Sequence, residues 1–502
     1  MPPMRVLQVS AELFPLLKTG GLADVAGALP LALMAAGQDA RVLLPGFPAI
    51  VAGMRGLAPV AAFSAPWGER FGLLQGRIEI DGAPPIPAYV VDAPALFDRP
   101  GNPYEDANRQ PYGDNHRRFA LLGWAAAQLA QGLDPAWLPE VVHAHDWHAG
   151  LAPAYMAFAR GVDGPRVGSV FTVHNLAYQG LFAPWHFPEL GLPAPAFQMN
   201  GLEYHGQLSF MKGGLAYADR LTTVSPTYAR EIQTPDQGCG LDGLLRQRGG
   251  VLDGILNAVD DQVWNPAADP ALVQGYQAPE GRHMAGKARC KSVLQHQLGL
   301  AARPDAPLFI LVSRLTEQKG LRLVLQGLDA LLAQGGQLAL LGSGEAWLED
   351  AFRQRAAAAP DAVSVTIGYN ETLAHQLFGA GDVTLVPSLF EPCGLTQMYG
   401  LKYGSLPLVR RVGGLADTVV DSTLEDMASG EATGFVFDRF DSADYDRAVR
   451  RAFALYQRAP DWRRVRGHAM RRPADWATAA AQYVAVYRQA LAAAQAPTPL
   501  PH

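Results

Sequence analysis

The sequence predicts an α/β chain of two domains, each a parallel sheet with helices on both faces. Short apolar strands that end in polar or glycine residues alternate with helical patterns through the first half, and the second half repeats the scheme. The pentapeptide GGLAD occurs twice, at 20–24 and 413–417, each time after a strand-like run and at a helix start. The length agrees: 502 residues exceed one ordinary core, and 49% hydrophobic with 18% charged residues is a globular composition.

In order, Met4 to Ser10 reads as a strand that precedes a helix near Leu22 to Ala36, and Ala40 to Leu44, Val141 to Ala144 and Ser169 to Val173 are further strands. In the second half Pro307 to Ser313 ends at RLTEQKG, Gln337 to Leu341 at GSGE, Val383 to Pro387 at SLFEPCG, and Pro407 to Val409 leads to the second GGLAD. Ligands of such sheets sit at the strand C-terminal ends, where all these motifs lie. The mixture of glycines, acids and Asn-Pro between Arg248 and Pro266 places a hinge near Gly249 to Gly254, dividing the chain into domains 1–252 and 253–474. In 475–502, Trp476, Ala480, Tyr483, Val484, Tyr487 and Leu491 at helical spacing make a docking helix with a frayed tail.

With 41 basic and 47 acidic side chains the net charge is −6, so nothing electrostatic points to nucleic acid or an anionic membrane. Cys239, Cys290 and Cys393 lack metal-type or disulfide-framework spacing, which favours a reducing, cytoplasmic setting. The N-terminus reads as a strand rather than a targeting segment, and no apolar run is long enough for a membrane span. No oligomer is specified.

Glycines in the two GGLAD turns let a ligand approach the backbone, and free N–H groups at the following helix favour an anion. The first copy adds Lys18, and with Gly20, Gly21 and Asp24 it reads either as a donor-phosphate turn or as a solvated lysine beside a tight connection. Arg314 and Lys319, around one loop, can fork a diphosphate or be two solvated cations. Glu391, between a strand end and Pro392, projects as a candidate acid or favours the helix dipole. Gly394, Leu395 and Thr396 open that helix toward phosphate, and Cys393 is a reactive thiol or a small packed residue. His143, His145, Asp146 and His148 invite a metal reading, but no second ligand cluster is apparent and no metal is expected. Tyr104 and Tyr112, in the irregular stretch 94–116, can stack on a sugar or form the loop's own core.

KTGGLADV at 18–25, HAHDWH at 143–148, TVHN at 172–175, ILNAVD at 255–260, SRLTEQKG at 313–320 and EPCGLTQMYGLKYG at 391–404 resemble the bacterial glycogen synthases, relatives of plant starch synthases in glycosyltransferase family 5. The resemblance runs from about Met4 to Trp476. It implies the GT-B fold, two Rossmann-like domains facing across a cleft, with the C-terminal helix crossing back to the first. It implies retaining transfer of glucose from ADP-glucose to the non-reducing end of an α-1,4-glucan, without a cofactor. Glu391 then meets donor-sugar hydroxyls, Arg314 and Lys319 the diphosphate, Asp146 the transferred glucose and Trp147 a sugar surface. The backbone carbonyl of His174 stabilises the oxocarbenium-like centre while the leaving phosphate takes the acceptor proton. Asn257 is placed on the donor sugar and Tyr369 on the base. Related transferases often carry a second glutamate eight residues after the first, where this chain has Tyr399, a departure shared with glycogen synthases. Other readings are a UDP-glucose-dependent synthase, a GT-B nucleotide-sugar epimerase and a non-catalytic glucan scaffold. Gly413 and Gly414 are expected to shape the wall behind Glu391, so Lys18→Ala should weaken donor use more than Gly413→Ala, unless the latter unfolds the domain.

Overall fold

Continuous apolar runs with both faces covered make the central strands. In the computed structural model, which describes residues 3–80, 82–159, 166–278, 284–472 and 475–496, these strands form two large sheets, one in each of two units. The first unit runs to Leu256 and resumes at Trp476; the second is Asn257–Asp475.

The first sheet has nine strands, in the order Leu252–Gly254, Arg220–Thr223, Gly168–Val173, Val141–His145, Arg5–Val9, Asp39–Pro45, Ile86–Asp92, Arg70–Ile78 and Met54–Ser64. Its pairings are parallel from Leu252–Gly254 as far as Ile86–Asp92, and the last two strands add an antiparallel edge. That edge corrects the expectation of a purely parallel sheet. Met54–Ser64 and Arg70–Ile78 are largely solvent-facing, so they lack the unbroken apolar signature of a buried parallel strand. The hinge expectation is corrected too. Gly249–Val251 is a short 3-10 turn and Leu252–Gly254 pairs with Arg220–Thr223, so these glycines belong to the first unit and the division falls between 256 and 257.

The helix Trp476–Gln495 docks on the first unit, where Tyr483, Val484, Tyr487 and Ala490 share a core with Val6, Val25, Leu29, Val141 and Val170. Burial of that stripe, roughly 1.5–3 kcal/mol per large side chain, holds the helix to the sheet. The tail from 497 lies outside the described residues.

The second sheet is parallel throughout, in the order Val363–Ile367, Gln337–Gly342, Leu308–Val312, Val383–Val386, Leu406–Arg410 and Phe435–Phe437. Phe309, Leu311, Leu338, Leu340 and Leu385 on one face meet Leu321, Val324 and Leu328 of the helix Leu321–Ala333 and Tyr445, Val449 and Phe453 of Ser442–Tyr456. In each sheet the chain leaves a central strand, Arg5–Val9 or Leu308–Val312, first to one side and later returns to the other. Such switch points open a crevice at the strand C-terminal ends.

Candidate active site

At the switch point of the second sheet, the loop after Leu308–Val312 carries Arg314 and Lys319, and the loop after Val383–Val386 carries Glu391. The two loops are tied by Leu389 N–H donating to Gln318 O (2.8 Å) and the Gln318 side chain donating to Phe390 O (3.3 Å). Gly320 makes the approach possible: its φ is +69°, and a Cβ there would overlap the Pro387 carbonyl. The result is an ion pair, Lys319 Nζ to Glu391 Oε2 at 2.6 Å, with side chains only 18% and 8% exposed. Ser388 Oγ donates to the same oxygen at 2.8 Å. Arg314 is exposed in this loop, and its guanidinium makes no ion pair with another described residue.

The second GGLAD forms the floor of this half. Gly414 N–H donates to the carbonyls of Glu391 (3.2 Å) and Pro392 (3.1 Å). Gly413 has φ +43°, and a Cβ would land on the Glu391 carbonyl oxygen. These two glycines form the expected wall behind Glu391, and a methyl added at Gly413 would press on the Glu391 backbone. Cys393 is buried, its thiol pushed up to about 12 by burial, and the Asn257 backbone N–H donates to its sulfur. It is therefore a packed thiol and not a reactive one. The Asn257 carboxamide oxygen is buried without a partner among the described residues. Gly394 (φ +72°) and Leu395 lead into the helix Thr396–Tyr403. Tyr369 is 75% exposed after the edge strand Val363–Ile367, its hydroxyl on Glu371. Tyr399 stacks on Trp264 (3.8 Å), which stacks on His375 (3.9 Å).

In the first unit the KTGG loop follows Arg5–Val9, and here sequence reasoning missed the key residue. Glu12 is 3% exposed, and its carboxylate accepts from Thr19 N–H (2.5 Å), Gly20 N–H (3.4 Å), the Thr19 hydroxyl and the Tyr104 hydroxyl. The Thr19 and Gly20 amides thus donate to the protein's own carboxylate. A lone acid inside the apolar run SAELFPLL was the signal, since a buried carboxylate must find donors. Lys18 also has a structural partner it was not expected to have: Nζ lies 2.8 Å from Asp24 Oδ1. No added Cβ at Gly20 or Gly21 would meet anything within 4 Å, so the loop surface is open. Glu12→Ala should cost about 1–3 kcal/mol by stranding these donors. It should also raise the donor KM by loosening the Lys18 loop; urea unfolding and initial-rate kinetics check both.

Next along the sheet, Asp146 takes φ +56°, a left-handed conformation rare outside glycine and a mark of functional sites. Its Oδ1 accepts from the N–H of His174 (2.9 Å) and of Asn175 (3.4 Å). Burial nevertheless raises its carboxyl to about 7. His143 and His145 engage both ring nitrogens inside the protein. The histidine and acid side chains that converge tightly among the described residues are instead His116, His186 and Glu189, whose carboxylate Arg117 also holds at 2.5 Å.

The rings proposed for acceptor binding build local cores. Tyr104 stacks on His148 (4.7 Å), Tyr112 lies under the Arg118 guanidinium (4.4 Å), and Trp147 meets Phe119 edge-on (4.9 Å). For Tyr104 and Tyr112 this is the loop-core alternative.

Burial lowers His148 and His174 to about 3 and holds His143 and His145 well below their ordinary value. All four are neutral in the fold and gain a proton on unfolding below about pH 6.5, so they stabilise above that pH and the contribution is lost as pH falls. Asp146 has the opposite sign: its contribution is full below about pH 4 and lost as pH rises toward 7. Four histidines outweigh one aspartate. Unfolding free energy should therefore fall on acidification from about pH 6.5, by roughly 1.4 kcal/mol per pH unit per histidine. Urea titrations across that range test it.

Residues 5–247 match the family model of the starch synthase catalytic domain and residues 298–464 that of glycosyl transferases group 1. Over 493 residues the chain is 86% identical to a glycogen synthase from Variovorax paradoxus, covering 98% of this chain and 100% of that protein. The chain belongs to the glycogen synthase family. Another relative, a glycogen synthase from Leptothrix cholodnii, is 57% identical over 496 residues, covering 97% of this chain and 100% of that protein. Among solved structures, the catalytic domain of starch synthase IV from Arabidopsis thaliana, bound to ADP and acarbose, matches with a TM-score of 0.88 at 30% identity. That match covers 98% of this chain and 100% of that one, and the fold is GT-B. A sucrose-phosphate synthase from Thermosynechococcus elongatus (TM-score 0.57, 18% identity, 98% and 100% covered) shares the fold alone. Membership in the glycogen synthase family makes the chain a glycosyltransferase, and among its described residues no helix is long and apolar enough to cross a membrane.

Proposed function

We propose that the chain transfers glucose from ADP-glucose to the non-reducing end of an α-1,4-glucan with retention of configuration, releasing ADP. The observation that carries this reading is the Lys319–Glu391 pair at the switch point of the second sheet, with exposed Arg314 in the same loop. Cleaving the anomeric C–O bond leaves a diphosphate whose growing charge must be met in the transition state. Arg314 offers a planar fork to its oxygens. Lys319 spends one N–H on Glu391 and keeps two for phosphate. Glu391 Oε2 is taken by Lys319 and Ser388, which leaves Oε1 to accept a sugar hydroxyl. Asn257 supplies a second buried acceptor, and Tyr369 attends the base.

On this reading Lys18, Asp146 and His174 serve the transferred glucosyl group. The His174 carbonyl stabilises positive charge at the anomeric carbon, and Asp146 braces the peptides on both sides of His174 by accepting the His174 N–H and the Asn175 N–H. The leaving phosphate takes the acceptor proton, so the reaction needs no resident cofactor. An ADP-bound relative of 0.88 TM-score supports adenine as the base, and three free cysteines support a cytoplasmic setting. Initial rates with ADP-glucose and UDP-glucose on a primed glucan test the donor. ADP-glucose should be preferred at least about tenfold in kcat/KM, a difference of about 1.4 kcal/mol; equal or reversed preference would overturn the assignment.

A further inference from the structure

Beneath His174 runs a buried hydrogen-bond chain that the steps above do not use. His174 Nε2 lies 3.0 Å from His145 Nδ1, and His145 Nε2 lies 2.7 Å from Gln8 Oε1. Gln8 Nε2 donates to the Tyr487 hydroxyl at 2.9 Å, and that hydroxyl lies 2.8 Å from His143 Nδ1. His143 Nε2 continues to Thr172 Oγ1 at 2.6 Å. Gln8, His143, His145, Thr172 and Tyr487 are all at most 1% exposed, so solvent does not replace a missing partner.

Donor accounting then fixes every proton. A carboxamide oxygen only accepts, so His145 carries its proton on Nε2. Its ring is neutral, which leaves Nδ1 bare and puts the His174 proton on Nε2. At the other end the carboxamide nitrogen only donates, so the Tyr487 oxygen accepts from it and sends its own proton to His143 Nδ1. His143 in turn donates from Nε2 to Thr172. The orientation of one carboxamide sets four groups.

We propose that Gln8 and Tyr487 are positioning residues for His174: through His145 they fix its tautomer, with the proton on Nε2 and Nδ1 as the ring's acceptor. The inference rests on the reading that His174 meets the transferred glucosyl group. It gives the returning helix Trp476–Gln495 a role in the site, since Tyr487 holds the carboxamide on which the lock depends.

The test uses the full chain labelled with ¹⁵N-histidine, with two-bond ¹H–¹⁵N correlations reporting the tautomers and initial rates reporting function. Wild type should show Nε2–H for His145 and His174. Gln8→Glu places a carboxylate on His145 Nε2–H, charges that ring and makes its Nδ1–H a donor, so His174 should flip to Nδ1–H. Its kcat should fall about tenfold or more while the donor KM stays within about twofold, the pattern of a wrong tautomer in an intact site. Tyr487→Phe keeps the ring packing and removes the acceptor of Gln8 Nε2 together with the donor to His143 Nδ1; it should mix the His174 tautomers and lower kcat in the same direction. Should Gln8→Glu not fold, Tyr487→Phe decides alone. Nδ1–H on His174 in wild type, or an altered tautomer with unchanged kcat, overturns the proposal. Absence of glucosyl transfer from ADP-glucose in wild type would instead overturn the functional reading beneath it.

Discussion

Glu391→Ala is expected to lower kcat for glucosyl transfer by roughly 10²–10³-fold, the loss typical of one removed electrostatic group in a desolvated site. The carboxylate has two duties. One oxygen binds Lys319 and Ser388, which aims the ammonium; the other is free for the donor sugar. Truncation removes the sugar contact and strands a lysine whose side chain is 18% exposed. The variant should therefore also unfold at lower denaturant, by about 1–3 kcal/mol. Glu391→Gln retains the shape and the Ser388 bond, so it should recover most of that stability and little of the activity. Equal activity in Glu391→Gln and wild type would show that the charge is not used.

Gly413→Ala should lose stability by at least about 1–3 kcal/mol from the left-handed backbone alone. Relieving the overlap of its Cβ with the Glu391 carbonyl must also move Glu391 or Gly413, so activity falls with stability. Gly20→Ala, the same position of the first copy, is the control. Its φ is −158° and no atom lies within 4 Å of an added Cβ, so stability should change by less than about 0.5 kcal/mol. If the open loop surface faces the donor, Gly20→Ala should still raise the donor KM severalfold. Thermal unfolding and donor kinetics on the two variants separate a wall from a contact surface. Similar destabilisation in both would contradict the distinction.

The core strands were legible because runs such as Leu308–Val312 and Gln337–Gly342 are apolar on both faces and end in motif loops. The edge strands Met54–Ser64 and Arg70–Ile78 were not, since solvent on much of their surface removes the pattern. GGVLDG reads locally as a linker, and only its parallel pairing with Arg220–Thr223 reveals the strand within it. Arg314, Lys319 and Glu391 followed from strand ends, because a parallel sheet gathers its functional loops there. Glu12 escaped notice because its role depends on donors from Thr19, Gly20 and the distant Tyr104, which spacing does not encode. Gln8 and Tyr487 lie 479 residues apart and are joined only by the fold. The glutamine in RVLQV was the one local sign, a buried polar side chain between Leu7 and Val9.

On the proposed function, the Lys319–Glu391 site retains configuration while moving glucose onto a glucan. Carbon-labelled ADP-glucose incubated with a maltooligosaccharide, followed at the anomeric carbon by NMR, tests it most directly. Wild type should yield the label in α-1,4-linked product, and Glu391→Gln should bind ADP yet build that signal roughly 10²–10³-fold more slowly. Free glucose as the sole labelled product, a β-linked product, or an undiminished rate in Glu391→Gln would overturn the role given to this site.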